Sequence, residues 1–211
     1  MSFGTYTELQ AEVISWLARS DLDDKVPGFI ALAEAKFNRL LRVRQMEQRS
    51  TATVTEYVAL PPGFLELRNI QLNSSPRVAL ELVPPTYIDS AYASRAAGLP
   101  RVFSMVANQI QFAPVPDGAY EVEIAFFEEI PPLASNATNW LLLTAPDLYL
   151  YGALLEASAF LVDDQRIALW RGAFAEVLDQ IKTADNKARW SGSPLRDRKS
   201  TRLNSSHDQR S

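Results

Sequence analysis

The sequence predicts an α+β fold: a four-helix bundle built from an N-terminal and a C-terminal helix pair, with an antiparallel β-rich segment inserted between them and an extended tail after them. Three observations predict it. Apolar residues recur at helical spacings of three and four from Leu9 to Leu41, and again from Leu148 to Ala184. From about Arg49 the pattern changes to short runs rich in Thr, Val, Tyr and Leu, punctuated by Pro and Gly. The link inside the first helical pair is short, which favours antiparallel neighbours. The expected units are residues 1–48 (first helix pair), 49–133 (β-rich insertion), 134–188 (second helix pair) and 189–211 (tail).

The first helix starts at a capping box. Thr5 can accept from a first-turn N–H, and Glu8 can reach back. Leu9, Val13, Trp16 and Leu17 form its apolar face. Asp23 or Asp24 is expected to cap the second helix, with Pro27 in the first turn, where backbone N–H groups have no intrahelical partner. Val26, Ile30, Ala33, Phe37, Leu40 and Leu41 make its inner face, and Arg39, Arg42 and Arg44 fall in its last turns. Glu56 marks a turn between the strands TATVT and YVALP. PRVALELV is a further strand, and Pro85 to Ala93 a short helix. RVFSMV and QIQFAPV form a hairpin about Ala107-Asn108, with Asn108 supplying the left-handed turn conformation. In AYEVEIAFFEEI, residues Tyr120, Val122, Ile124 and Phe126 alternate with polar ones, as in a strand wet on one side. Thr144 and Pro146 start a helix that runs to about Leu161, and Asp163 or Asp164 caps the last helix. Ile167, Trp170, Phe174, Val177, Ile181 and Ala184 form the last helix's seam.

Composition removes several classes of function. The chain has no Cys, which excludes disulfides and thiolate chemistry, and its one His, His207, lies in the polar tail. A catalytic triad or a His-based metal site is therefore not expected, and no cofactor, metal or catalytic residue is assigned. No Gly-rich phosphate loop is present among eight glycines. Nothing at the N-terminus reads as a secretory signal. The net charge of −4 argues against a nucleic-acid binder. It is uneven: Arg189 to Ser211 carry six basic and two acidic residues, a net of +4, which leaves −8 on the rest. The apolar run from Trp140 to Phe160 is interrupted by Pro146, Asp147, Gly152 and Glu156. It falls short of the ~18–20 apolar residues a membrane span needs.

That run instead reads as a helix apolar on two sides. Tyr149 and Tyr151 are two apart and cannot share a helix face. One can fill the core; the other needs a second surface, either the β segment or a neighbouring subunit. Tyr149, Tyr151 and Trp140 are thus candidate interface residues. In the tail, Trp190 lies beside Arg189 and ahead of Pro194, Leu195 and Arg196, which suits an anchor that orders on binding. The carboxylate pairs Asp23-Asp24 and Asp163-Asp164 precede helices, where Asp is wanted as a cap. Glu128 and Glu129 are adjacent in a strand and point to opposite faces.

The chain resembles the head-to-tail adaptor (connector, or head-completion) proteins of tailed bacteriophages. The likeness runs from about Tyr6 to Arg196. It is carried by YTELQAEVISWLARSDLDDKVPGFIALAEAKFNRLLRVRQME, by GLPRVFSMVANQIQFAPVPDGAYEVEIAFFEEIPPL, and by the stretch from TNWLLLTAPDLYLYGALLEASAF to WSGSPLR. The resemblance implies a structural, non-enzymatic subunit of the virion. Such adaptors form a ring, usually of twelve copies, beneath the portal protein. They extend the DNA channel and provide the platform for tail or neck proteins. Carried onto this chain, the portal-contacting segment is Arg189 to Arg196, centred on Trp190, Pro194 and Leu195. DNA would slide past an acidic wall without specific binding. The ending RKSTRLNSSHDQRS departs from the family pattern and resembles translated sequencing-adapter read-through. Residues 199–211 are read as non-native, so the tail's charge argument rests on Arg189 and Arg196. Two alternatives belong beside the adaptor reading: a carboxylate-dependent cell-wall hydrolase using Glu47, Glu66 or Glu128, and another neck or tail structural protein.

Overall fold

The capping box at Thr5 and Glu8 starts the first helix in the computed structural model of the chain, which describes residues 3–161 and 165–190. Thr5 Oγ1 accepts from the Glu8 amide at 3.3 Å, and the Glu8 carboxylate accepts from the Thr5 amide at 3.1 Å. Helix α1 (Tyr6–Leu17) buries Leu9, Val13 and Leu17 and stops at Ala18, which takes a left-handed φ of 51°. A 3-10 turn, Ser20–Lys25, contains both Asp23 and Asp24, so helix α2 (Val26–Leu40) begins without a side-chain cap. Asp23 and Asp24 are therefore not its cap. Pro27 sits in its first turn, as expected. Of the second helix's expected inner face, only Leu40 stays partly exposed.

The β segment forms two four-stranded sheets. Strands β1 (Glu47–Thr53), β2 (Tyr57–Ala59), β3 (Phe64–Leu72), β4 (Val78–Ala79) and β5 (Glu81–Leu82) come first. Helix α3 (Pro85–Ala91) follows, then β6 (Val102–Val106), β7 (Gln109–Ala113) and β8 (Glu121–Glu128). One sheet has the order β1-β8-β3-β4 and the other β2-β7-β6-β5, with β5 and β6 the parallel pair. The β6–β7 hairpin has the expected register, Val106 opposite Gln109. Its left-handed residue is Ala107, at φ 51°, not Asn108. The segments around Glu56 do not form a hairpin. The chain leaves one sheet at Thr53 and enters the other at Tyr57, bridged by Val54 N–H to Tyr120 O and Phe112 N–H to Glu56 O. The same happens across Leu80, whose amide bonds Ile70 O while the Glu81 amide bonds Arg101 O. Each outer margin is thus one chain segment shared by both sheets, a corner made by a strand that changes sheet. Between the sheets lie Ile70, Leu72, Phe103, Ile110, Phe112, Val122, Ile124 and Phe126.

Among the described residues there are six α-helices and two sheets, and the four-helix bundle is not formed. After the β segment comes a short helix, α4 (Trp140–Thr144), capped by Asn139 rather than started at Thr144. Helix α5 (Pro146–Glu156) is only 11 residues long and passes into a 3-10 turn, Ala157–Phe160, instead of continuing to Leu161. The last helix, α6, runs 25 residues from Arg166 to Trp190; Asp163 and Asp164, its expected caps, lie outside the described residues. The bundle fails for a physical reason. Leu148, Tyr149, Leu150, Gly152, Ala153 and Leu154 are buried around most of α5, and the strip of Asp147, Tyr151 and Leu155 stays partly open. Helices α1, α2 and α6 therefore sheathe it, and it is a core rod rather than one of four equivalent staves. Most of the apolar surface of this helix is covered within the subunit, while Tyr151 and Leu155 stay half-buried.

Candidate interaction surfaces

The helical and β parts meet where β8 leaves its sheet. Phe127 faces away from the β core and into the helical core, while Phe126 faces the β core. The Arg68 and Arg42 guanidinium groups lie over the Phe127 ring at 5.3 and 5.9 Å from its centroid. Arg42 also bonds the carbonyls of Asn38 and Leu41 at the end of α2 and pairs with Glu66 on β3 at 2.6 Å. Past β8, the Ile130 amide donates to Asn38 Oδ1 at 2.9 Å, and the Leu133 amide to Glu34 Oε1 at 2.9 Å.

Glu34 is the centre of a buried polar chain. Tyr149, fully buried, donates its hydroxyl to Glu34 Oε1 at 3.2 Å and accepts from Asn139 Nδ2 at 2.6 Å. Asn139 Nδ2 also donates to Pro131 O, and its Oδ1 caps α4 through the Leu142 amide. Burial pushes the Glu34 carboxyl above the usual carboxylate range, only partly offset by the Leu133 amide and the Tyr149 hydroxyl. Burial likewise pushes the Tyr149 phenol up. An acid whose folded pKa is raised contributes stability below its unfolded pKa, and that contribution is lost as pH rises through the folded value. Glu34→Gln keeps the acceptor oxygen and removes the charge. Its Tm relative to the parent is expected to rise as the pH is raised above the ordinary glutamate range, about pH 4. A pH-independent difference in thermal melts would rule out that titration.

The end of α6 is fastened to the β part. Buried Asp185 accepts from the Arg44 backbone amide at 3.0 Å and from Arg44 Nε at 2.9 Å, and pairs with Arg189 at 2.7 Å. Burial alone would raise the Asp185 carboxyl, but Arg189 and Arg44 together hold it below the usual range. Arg189 also reaches Glu47 on β1 at 2.8 Å, and Glu47 lies 3.6 Å from Arg68. Beside this junction is a groove of about 480 Å³, lined by Ala145, Asp147, Val177, Ile181 and Ala188 among others.

The expected site residues fall in three places. Tyr149 is in the core and Tyr151 is half-buried, its ring edge-on to Trp16 at 6.1 Å. Trp140 is half-buried on α4. Arg189 spends its charge within the subunit, and Trp190 is the last residue of α6, its side chain outside what the structure describes. Pro194, Leu195 and Arg196 lie outside the described residues. Of the carboxylates weighed for hydrolysis, Glu47 and Glu66 are each held by arginine, and the cavity that Glu47 lines carries no second acid. Among the described residues no three His, Cys, Asp or Glu side chains gather as a metal site would, and no helix is long and apolar enough to cross a membrane. Sequence reasoning missed Glu34, Asn139 and Asp185. Asn ahead of WLLL signals a cap, and Asp185 four before Arg189 signals a helical ion pair.

The charged side chains named above are engaged in holding the helical and β parts of the chain together. The chain belongs to the SU10 adaptor protein family, a phage head-tail adaptor family, whose model matches residues 4–198. Membership implies a place at the virion's head-tail junction and partners among portal and neck or tail proteins. No curated protein matches the chain.

Proposed function

We propose that this chain is the subunit of a ring, of twelve copies in the reading its resemblance implies, that docks on the portal, extends the DNA channel and receives the next tail or neck protein. The observation that carries the proposal is the reach of the family match. It continues past the end of α6 to residue 198 and takes in Trp190, Pro194, Leu195 and Arg196. That supports reading the segment after α6 as the portal-contacting one, and residues 199–211 as foreign to the pattern. The fastening of α6 through Asp185, Arg189 and Glu47 would hold the departure point of that segment fixed. Trp140 and Tyr151 remain half-exposed area for a neighbour or a tail protein. The −8 carried by residues 1–188 suits a lumen past which phosphates slide without binding.

The test is truncation. Chains ending at residue 198 and at residue 190 are each mixed with portal and imaged by electron microscopy. The longer chain is expected to form rings on the portal as the full chain does, and the shorter one to lose docking at least tenfold in affinity. Equal docking by both would remove the tail from the interface. No association of the full chain with portal would favour another neck or tail protein.

A further inference from the structure

Two helix faces point to solvent and are small and apolar over two turns, flanked by charges that include Lys25 just ahead of α2 and Arg171 on α6. On α2, Gly28, Ala31, Leu32 and Ala35 are all exposed, Leu32 at 54%, and Arg39 follows on the same face. On α6, Ala168, Leu169, Gly172 and Ala175 are exposed, and Glu176 and Asp179 follow. Leu169, at 74%, is the most exposed large apolar side chain among the described residues. Both sets recur at three and four positions, opposite the buried Phe29, Ala33 and Phe37 on α2 and Trp170 and Phe174 on α6. A Cβ placed on Gly28 or Gly172 would meet nothing within 4 Å. Neither glycine is needed for packing inside the subunit, and glycine inside α6 weakens that helix relative to alanine.

We propose that these faces are the two halves of one head-to-tail contact, with α2 of one copy lying parallel against α6 of the next. The contact rests on the ring reading above and names the surface that builds the ring. In this register Leu169 sits over Gly28, Leu32 over Gly172, and Ala35 beside Ala175, while Arg39 meets Glu176 and Asp179. The steps agree: Leu32 and Arg39 lie four and eleven positions after Gly28, and Gly172 and Asp179 three and ten after Leu169. A leucine opposite a glycine lets ridges enter grooves at close range. Charge sets the direction. Antiparallel packing would put Arg39 over Ala168 and Leu169, away from Glu176 and Asp179. Because the two faces differ, the contact is not self-complementary, and it repeats until rotation closes the ring.

The chain has no Cys, so a designed disulfide has no competing thiol within it. Leu32→Cys and Gly172→Cys are placed in one full-length chain, mixed with portal and oxidised. A disulfide forms only where Cβ atoms come within about 4.5 Å. A ladder of linked multimers on a non-reducing gel is expected, whereas Leu32→Cys with Leu143→Cys, also exposed, stays unlinked. As a second readout, Leu32→Glu and Leu169→Glu are each expected to abolish rings while keeping the parent circular dichroism. Mixed in equal amounts they form a dimer and nothing larger, since each retains the face the other has lost. If unsubstituted protein rings the portal while no ladder forms and both Glu variants assemble normally, the contact is overturned and the ring reading stands. Linked dimers that never extend would overturn the head-to-tail arrangement. If unsubstituted protein forms no ring on the portal, the ring reading fails and takes this contact with it.

Discussion

Gly152→Leu is expected to destabilise the protein by about 3 kcal/mol, at the upper end of what overpacking a core costs. Gly152 lies mid-helix in α5, where glycine is ordinarily worse than alanine by ~1 kcal/mol. Its presence is explained by what faces it. A Cβ there would stand 2.8 Å from Phe37 Cζ, 3.0 Å from Phe37 Cε1 and 3.2 Å from Ala33 Cβ. A ring tip can sometimes swing away, but Phe37 is fully buried. It is held edge-on by Tyr149 at 5.0 Å and stacked by Phe174 at 6.2 Å. For a chain of this size the Tm loss would be roughly 10 °C. Phe37→Leu in the same chain should recover part of it, because the two sites share one space. A Gly152→Leu variant that melts with the parent would mean that α2 and α5 do not approach so closely.

Asn139→Ala should cost about 2–3 kcal/mol, read as a lower urea midpoint. The cap on α4 accounts for about 1 kcal/mol. The remainder comes from leaving Pro131 O and one side of the Tyr149 hydroxyl without their donor in a buried site. Asn136→Ala is the control. Asn136 bonds Pro132 O at 2.9 Å in the same loop, but at the exposed surface, and its loss should stay within ~0.5 kcal/mol. Equal effects from the two would show that the buried chain from Asn139 through Tyr149 to Glu34 is not what fixes the link between β8 and α4.

What could be read from the sequence was local. The Thr5 capping box and the β6–β7 hairpin depend on residues a few positions apart, and both formed with the expected partners. The strands flanking Glu56 are legible in the sequence but their pairing is not, since β1 pairs with β8 and β2 with β7, each fifty or more positions away. Apolar periodicity showed that α5 would be covered on two sides. It does not show by what, because apolar residues spread over most of a helix give little phase, and the cover comes from α1, α2 and α6 of the same chain. Charge was legible in kind but not in use. Arg189 read as a partner-seeking cation, and it is engaged by Asp185 and Glu47.

The two margins where one segment belongs to both sheets have a mechanical consequence. A sheet with a loose border yields by unzipping, one bond at a time. Here, prying the layers apart at β1–β2 or β4–β5 pulls a continuous strand along its own length, so the bonds on either side of the corner must shear together. The β part should therefore resist prying at its margins better than two sheets with free borders would.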